Sequence, residues 1–259
     1  MTTAWQLDRA HAQLHTSQLQ AELDLRFPQY GLNALQLAGQ PLLGRMLALE
    51  LVGNRQNTGQ AGSAAASSSE ESLVEAYLRQ DDLVATYAQS PMRPFRPQVY
   101  WRAIAQPDLP SLGAVENIVS IQTNLLDSRP TIEAQTVLPI EACLLPTDAS
   151  LEQFHEVDLA RGAHEIDSEL NPGCVLFRLP SQSASYAELI PPNDFQTAEV
   201  LQQTDGMVQL RYALFGRFLE KGVILRARRR GVFLPRQGDL QAAAAWYHAI
   251  LRSELPLTT

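Results

Sequence analysis

The strongest pattern in this chain is the alternation of polar and apolar residues from Gln18 to Phe27, where every odd-numbered position is apolar. Successive side chains of a β-strand point to opposite faces of a sheet, so this spacing is typical of a strand with one buried face. Similar alternation recurs as far as Met207 to Phe215. The sequence therefore predicts a protein built mainly from half-buried strands.

Roughly a dozen segments have strand character, and turn-forming residues such as Asp127 to Pro130 separate them. They cover residues 18–27, 32–37, 46–52, 73–78, 83–87, 98–104, 115–125, 131–138, 140–145, 175–179, 186–190, 207–215 and 223–234. A parallel sheet would need a helix between most strand pairs, and such helices are not evident. We predict an all-β, mainly antiparallel fold: a large β-sandwich or supersandwich with one C-terminal helix.

The one clear helical pattern lies near residues 239–252. Asp239 stands at its start, where a negative charge is favoured by the helix dipole. Its apolar positions form one stripe at helical spacing: Leu240, Ala243, Ala244, Tyr247, Ile250 and Leu251. We expect this helix to cover a face or rim of the sandwich.

Residues 53–72 differ in composition from the rest, because Gly, Ser, Ala, Asn and Gln dominate. The segment before them is too short for an independent core, and apolar alternation resumes at Leu73. We therefore predict a flexible low-complexity loop within a single β-sandwich domain over residues 1–259.

The net charge of -8 disfavours a nucleic-acid partner, since binding to phosphate backbones needs basic surface. Met1 to Thr16 do not resemble a signal peptide, and the longest strongly apolar run is too short to cross a bilayer. Two cysteines, Cys143 and Cys174, permit one disulfide without indicating a disulfide scaffold. We predict a soluble cytoplasmic protein without a membrane partner.

Common catalytic and cofactor motifs are absent from the sequence, including the glycine-rich nucleotide loops, G-x-S-x-G, H-E-x-x-H and C-x-x-C. We therefore expect no cofactor and no metal. The candidate chemistry that remains lies in a basic segment, an aromatic strand and an acidic stretch with two histidines.

The basic segment places Arg226, Arg228 and Arg230 on one face of a strand, where three like charges repel unless something negative lies opposite. Acidic residues of adjacent strands would form an ion-pair ladder, which is the more common arrangement. The other interpretation is a ligand site for a carboxylate, a phosphate or an acidic sugar.

A second candidate is Tyr100-Trp101-Arg102, which puts two aromatic rings on opposite faces of a strand, with Arg102 on the Tyr100 face. Such groups stack against sugars or flat ligands, and they serve equally well in a core. Burial in the core is the favoured interpretation for Trp101.

The acidic stretch contains His155-Glu156 and, nine residues later, His164-Glu165. Acid-base chemistry is compatible with these residue types. Metal ligation is not expected, because helical His-x-x-x-His spacing is missing. We expect both histidines to lie in a solvated polar loop.

Three hypotheses for function follow. The first is a module that binds a ligand or partner, such as a carbohydrate or small anion, through Tyr100, Trp101, Arg102 and the three arginines. The second is a carbohydrate-active enzyme, an isomerase or hydrolase, with His155 or His164 and a carboxylate as acid and base. The third is a structural protein that forms homo-oligomers through apolar surface near the C-terminal helix.

A sandwich of this strand number resembles in general shape the sugar-binding supersandwiches to which aldose epimerases belong. The resemblance rests on strand count, and a fold does not fix a function.

Overall fold

The computed structural model describes residues 3–51, 70–166, 172–180 and 183–254. Over these ranges it confirms the predicted fold class: nineteen strands form three sheets with antiparallel pairing throughout, and one α-helix, α1 (Asp239–Arg252), follows the last strand. Residues 53–69 of the low-complexity segment lie outside the described residues. Within the described ranges, no helix is long and apolar enough to span a membrane.

The first sheet is a meander, because each strand pairs with the next one along the chain. Its strands are β1 (Trp5–Asp8), β2 (His11–His15), β3 (Leu19–Asp24), β4 (Asn33–Leu37) and β5 (Gln40–Pro41). In β3 the apolar side chains are buried and the polar ones between them are exposed or half-buried, as the alternation predicts. A 3₁₀ turn, Pro28–Tyr30, connects β3 to β4.

The other two sheets contain nine and five strands. In chain order their strands are β6 (Arg45–Glu50), β7 (Leu73–Arg79), β8 (Asp82–Tyr87), β9 (Arg96–Ile104), β10 (Gly113–Gln122), β11 (Thr131–Leu138), β12 (Ala142–Pro146), β13 (Phe154–Glu156), β14 (His164–Ile166), β15 (Cys174–Arg178), β16 (Ala184–Leu189), β17 (Thr197–Gln202), β18 (Val208–Phe215) and β19 (Ile224–Pro235). Two 3₁₀ turns, Leu159–Arg161 and Pro192–Asp194, lie between strands.

The nine-stranded sheet has the order β13-β12-β15-β16-β19-β10-β9-β8-β7, and the smaller sheet has the order β14-β17-β18-β11-β6. One face of the nine-stranded sheet packs against both five-stranded sheets, and side chains from all three form the main core. Burial of this much apolar surface is the dominant favourable contribution to folding. The layers thus form the predicted sandwich.

The opposite face of the nine-stranded sheet, called here the helix face, carries α1 over part of its area. Trp246 and Ile250 of the helix are fully buried in this second apolar layer, together with Val232 and Leu234 of β19. The Trp246 indole N–H donates to the Pro110 carbonyl at 2.9 Å, so the ring is buried with its polar atom satisfied. The helix has the bounds and the covering role that the sequence predicts.

A buried polar cluster joins the nine-stranded sheet to the smaller sheet beneath it. Arg229 of β19 donates to Glu188 of β16 at 3.1 Å and to the Ala48 carbonyl of β6 at 2.6 Å. The second Glu188 oxygen accepts from the Thr136 hydroxyl at 2.5 Å and from the Tyr186 hydroxyl at 2.7 Å. Arg229 and Glu188 are at most 1% exposed and form a buried ion pair. Its hydrogen-bond partners in this cluster are Ala48, Thr136 and Tyr186.

Local backbone geometry makes this cluster fit. The pairing of β6 with β11 shifts register beside Leu47, which adopts φ of 54°, and the Leu47 N–H donates to the Thr136 hydroxyl at 3.1 Å. The next carbonyl, at Ala48, is the one that accepts from Arg229. Gly231 is required on β19, because a Cβ there would overlap the Tyr186 hydroxyl.

The sequence missed six strands: β1, β2, β5, β13, β14 and β17. The acidic stretch, which we expected to be a solvated loop, instead contributes the edge strands β13 and β14. Their backbones pair with β12 and β17, and this pairing needs no apolar alternation. The loop prediction for His155 and His164 was therefore wrong.

The two cysteines lie on the paired strands β12 and β15, but on opposite faces of the sheet. Cys143 belongs to the main core, and Cys174 belongs to the layer beneath α1. Both are free and buried. Because their side chains point away from each other, this fold does not allow them to form a disulfide.

We predict that neither thiol reacts with a thiol reagent such as DTNB at pH 8 in the native protein. Burial raises the pKa of Cys143 to about 12 and also raises that of Cys174, so the reactive thiolate is scarce as well as inaccessible. Absorbance at 412 nm should report two thiols only after denaturation. A thiol that titrates rapidly in the folded protein contradicts this prediction.

We also predict that Arg229→Met costs about 3–5 kcal/mol in free energy of unfolding, because it leaves the Glu188 carboxylate buried and unpaired. Adding Glu188→Gln should recover much of the loss, since the amide is neutral and its oxygen still accepts from Tyr186 and Thr136. Urea denaturation of both variants measures the difference. A single variant that loses less than about 1 kcal/mol would show that the pair is not a structural constraint.

Candidate functional site

The helix face carries a row of alternating charges across five neighbouring strands, called here the charged ladder. Direct cross-strand register places its members side by side. In strand order from the sheet edge they are Arg79, Asp82, Arg102, Glu116 and Arg230. Of the three arginines for which the sequence favoured an ion-pair ladder, Arg230 belongs to it, whereas Arg226 and Arg228 form no ion pair with the described residues. The ladder neutralises charge on a partly buried sheet surface.

Each charge of the ladder has an opposite neighbour. Asp82 accepts from Arg79 at 3.1 Å and from Arg102 at 2.5 and 2.8 Å. Hydrogen bonds that Arg102 donates to Asp82 raise the pKa of the Arg102 guanidinium above its ordinary value, and the nearby Glu116 acts in the same direction. Glu116 in turn accepts from Arg230 at 2.6 Å.

The inner end of the ladder helps to hold the helix. The Arg230 guanidinium lies 5.6 Å from the centre of the Trp246 ring, and its side chain is 2% exposed. Arg228 donates to the Ile250 carbonyl at 2.5 Å and to the Ser253 carbonyl at 2.9 Å, where a cation complements the helix C-terminus. The partners of Arg228 and Arg230 therefore lie within this chain, and both arginines contact the helix.

Beyond the helix, no other helix or strand of the described ranges packs on the helix face over β8, β9, β10 and the start of β19. A small apolar row of Tyr77, Val84, Tyr100 and Ile118 follows the ladder. Next to it lies a polar row in which Thr86, Gln98, Ser120 and Arg226 are cross-strand neighbours. We call this uncovered part the open helix face.

A cavity of about 250 Å³ lies on the open helix face. It is lined by Thr86, Arg96, Gln98, Tyr100, Ser120, Gln122, Ile224 and Arg226. The Tyr100 hydroxyl donates to the Gln98 amide oxygen, and the Gln98 amide donates to the Thr86 hydroxyl at 3.1 Å. Burial raises the pKa of Tyr100, so its phenol is a neutral hydrogen-bonding group at physiological pH.

The structure separates the residues that the sequence grouped as ligand-binding. Tyr100 and Arg226 line the cavity together, and Arg102 lies on the same face within the ladder. Trp101 is fully buried in the main core, in agreement with the favoured interpretation of its ring. Arg228 and Arg230, at 6% and 2% exposure, lie beneath the helix, where Arg228 is hydrogen-bonded to the Ile250 carbonyl and Arg230 is paired with Glu116.

The two histidines proposed as acid and base are not brought together. His155 is exposed on β13, an edge of the nine-stranded sheet, and His164 is half-buried on β14, an edge of the smaller sheet. Neither lines the cavity of the open helix face. Within the described ranges, no three His, Cys, Asp or Glu side chains are grouped as metal ligands.

A larger cavity of about 690 Å³ lies on the outer side of the smaller sheet and has a different character. Its carboxylates are Glu133, Glu165 and Glu199, and Arg211 pairs with Glu199 there. Glu165 belongs to the acidic stretch that the sequence analysis singled out, but its neighbour His164 does not line this cavity. Clusters of acidic side chains on a solvated sheet face are common without function. We therefore place the candidate site on the open helix face.

Sequence reasoning missed five polar residues of the site: Thr86, Arg96, Gln98, Ser120 and Gln122. A signal for them existed, because Gln98 shares the even-numbered face of its strand with Tyr100, and Ser120 and Gln122 share a face of the next strand. Their meeting depends on the register between β9 and β10, which pairs Gln98 with Ser120. That register is not visible in either segment alone.

The fold has counterparts among solved structures. A candidate aldose 1-epimerase from Escherichia coli K12 aligns over 86% of this chain and 98% of its own, with a TM-score of 0.62 and 10% identity. A galactose mutarotase-like protein from Lactobacillus casei aligns over 85% and 99%, with a TM-score of 0.56 and 10% identity. An aldose epimerase homologue from C. elegans aligns over 86% and 98%, with a TM-score of 0.54 and 9% identity.

These likenesses establish a galactose mutarotase-like β-sandwich fold, and at such low identity they establish the fold alone. No protein-family model and no curated protein sequence matches this chain. The class that these comparisons define is therefore a fold class, the galactose mutarotase-like β-sandwich.

We predict that the arginines of β19 divide into two groups by their effect on stability. Arg230→Met should cost about 3–5 kcal/mol, because it leaves Glu116 buried without its closest partner. Arg226→Gln should change stability by less than about 0.5 kcal/mol, because Arg226 has no ion pair with the described residues. Parallel urea denaturation curves measure both, and equal losses would contradict the division.

Proposed function

We propose that this protein recognises a carbohydrate on the open helix face. The supporting observation is that hydroxyl, amide and guanidinium groups from four strands converge on one cavity beside Tyr100. Hydroxyl groups of a sugar exchange hydrogen bonds with such side chains, while an adjacent aromatic ring packs against its C–H surface. The known architecture of the fold supports the same ligand class, since its solved counterparts include proteins named for aldoses and galactose.

Two kinds of carbohydrate protein fit this proposal. The structural comparisons favour an isomerase of the aldose 1-epimerase class over a module without catalysis, because of the names of the matching proteins. Inversion at C1 through ring opening needs one group to remove the proton of the anomeric hydroxyl and another to protonate the ring oxygen. An isomerase is therefore the second, more specific candidate within the same proposal.

The lining of the cavity by itself supports binding. Tyr100 is a suitable proton donor, but the described residues that line the cavity include neither a carboxylate nor an imidazole. Asp82 and Glu116 lie on the same face, where ion pairs hold their carboxylates. An acid-base role for His155 or His164 stays a proposal, and it would require a site away from this cavity.

The remaining expectations also stay proposals. They are a single domain over residues 1–259, a cytoplasmic location, no nucleic-acid or membrane partner, and self-association through apolar surface near the helix, where Leu251 is exposed.

We predict that the protein binds at least one neutral aldose from a panel of glucose, galactose and mannose, and that Ser120→Trp weakens this binding at least tenfold by filling the cavity. Saturation-transfer NMR detects the binding, and exchange spectroscopy on the same samples measures interconversion of the two anomers. Accelerated exchange identifies the isomerase, whereas binding without acceleration identifies the module.

The matched control is Gln13→Trp, which adds the same ring at an exposed position of β2, on a different sheet. Its affinity should equal that of the unmodified protein. Absence of binding to every sugar at millimolar concentration would refute a carbohydrate function at this face. Equal loss in both variants would refute the placement of the site.

A further inference from the structure

The two arginines of the candidate cavity stand apart from most arginines of this chain. Ten of the arginines that the structure describes form ion pairs with Asp or Glu. Arg96 and Arg226 have no ion pair and no hydrogen bond with the described residues, yet both line the same cavity. Eight of the eighteen described arginines lack an ion pair, and Arg96 and Arg226 are distinguished by lining one cavity together without any hydrogen-bond partner among the described residues.

Sheet geometry explains how the two groups share the cavity. Arg96 is paired in register with Gln122 on β10, and Arg226 is paired with Ser120, two residues earlier on the same strand. β10 therefore separates them, and their long side chains reach the cavity from opposite sides. Like charges that face one cavity repel each other, and a bound anion would turn this repulsion into attraction.

We propose that Arg96 and Arg226 form an oxyanion subsite, and that the ligand is a carbohydrate bearing a phosphate or a carboxylate group. This inference rests on the proposed function and specifies its ligand class. Guanidinium groups offer forked donors that match the oxygens of both anions. Ser120 and Gln122 lie on β10, between the strands of the two arginines, and Gln98 is the cross-strand neighbour of Ser120. Their hydroxyl and amide groups supply neutral donors to the same anion or to the sugar.

The position of the cavity leaves room for the sugar itself. Tyr100 and Gln98 lie on the side toward the apolar row, whereas Arg96 lies at the exposed start of β9. An anionic substituent held by the arginines would thus place the ring toward Tyr100. The other two arginines that β19 directs to this face, Arg228 and Arg230, cannot take this role without releasing the helix.

The test is calorimetric titration of the full chain with glucose, glucose 6-phosphate, glucuronate and inorganic phosphate. We expect at least one of the two charged sugars to bind about tenfold or more tightly than glucose, because each charge-assisted hydrogen bond is worth about that factor. Arg96→Gln and Arg226→Gln should each remove most of this preference, and Arg226→Lys should retain part of it. The preference should also fall as salt is added.

The control is Arg129→Gln, which removes one exposed positive charge outside the cavity and should leave the preference unchanged. Glucose bound as tightly as both charged sugars, or a preference that survives both glutamine variants, overturns the subsite and leaves the carbohydrate proposal standing. Inorganic phosphate bound as tightly as glucose 6-phosphate also overturns the assignment to a sugar. No binding of any sugar, neutral or charged, overturns both proposals.

Discussion

The buried contact between Arg229 and Glu188 is the constraint on which the packing of the nine-stranded sheet against the sheet of β14, β17, β18, β11 and β6 depends. Both side chains are almost fully removed from water, so each needs a complete set of partners or the fold bears an uncompensated charge. The partners come from both sheets: the Ala48 carbonyl and the Thr136 hydroxyl from the smaller sheet, and the Tyr186 hydroxyl from the larger one. Apolar packing tolerates small slips between sheets, whereas these directional bonds fix one relative position. The register shift beside Leu47 accompanies these bonds, because the Leu47 N–H donates to Thr136 and the next carbonyl, at Ala48, accepts from Arg229.

The last strand distributes its charge according to the same alternation that defines it as a strand. Arg229 points into the main core, whereas Arg226, Arg228 and Arg230 point to the helix face. Along that face their environments change in order. Arg230 is covered by Trp246, Arg228 holds the end of the helix, and Arg226 lies beyond the helix at the cavity. The coverage by α1 therefore decides which arginine is structural and which is available to a ligand.

The open helix face combines a charged ladder, a small apolar row and a cavity lined by hydroxyl, amide and guanidinium groups. Two of the lining residues, Arg96 and Arg226, have no ion pair with the described residues. The galactose mutarotase-like fold gives this face its context without assigning it a reaction. The described residues that line the cavity include no carboxylate to act as a base. They therefore support recognition of a sugar, whereas its chemical conversion has to be tested separately.

Much of the fold was predictable because burial acts on each strand independently. The alternation in β3 and the apolar stripe of α1 are local patterns, and each predicted its element and its buried side. The short strands β13 and β14 were missed because backbone pairing with a neighbour, and not their own composition, creates them. The sequence by itself determined the strand faces and favoured the burial of Trp101, whereas the ion-pair arrangement that it favoured for the basic strand holds for Arg230 alone of the three arginines. Only the tertiary structure decided which acid meets which arginine, that Cys143 and Cys174 face apart, and that Arg96 and Arg226 share a cavity, because these depend on strand order and register between distant segments.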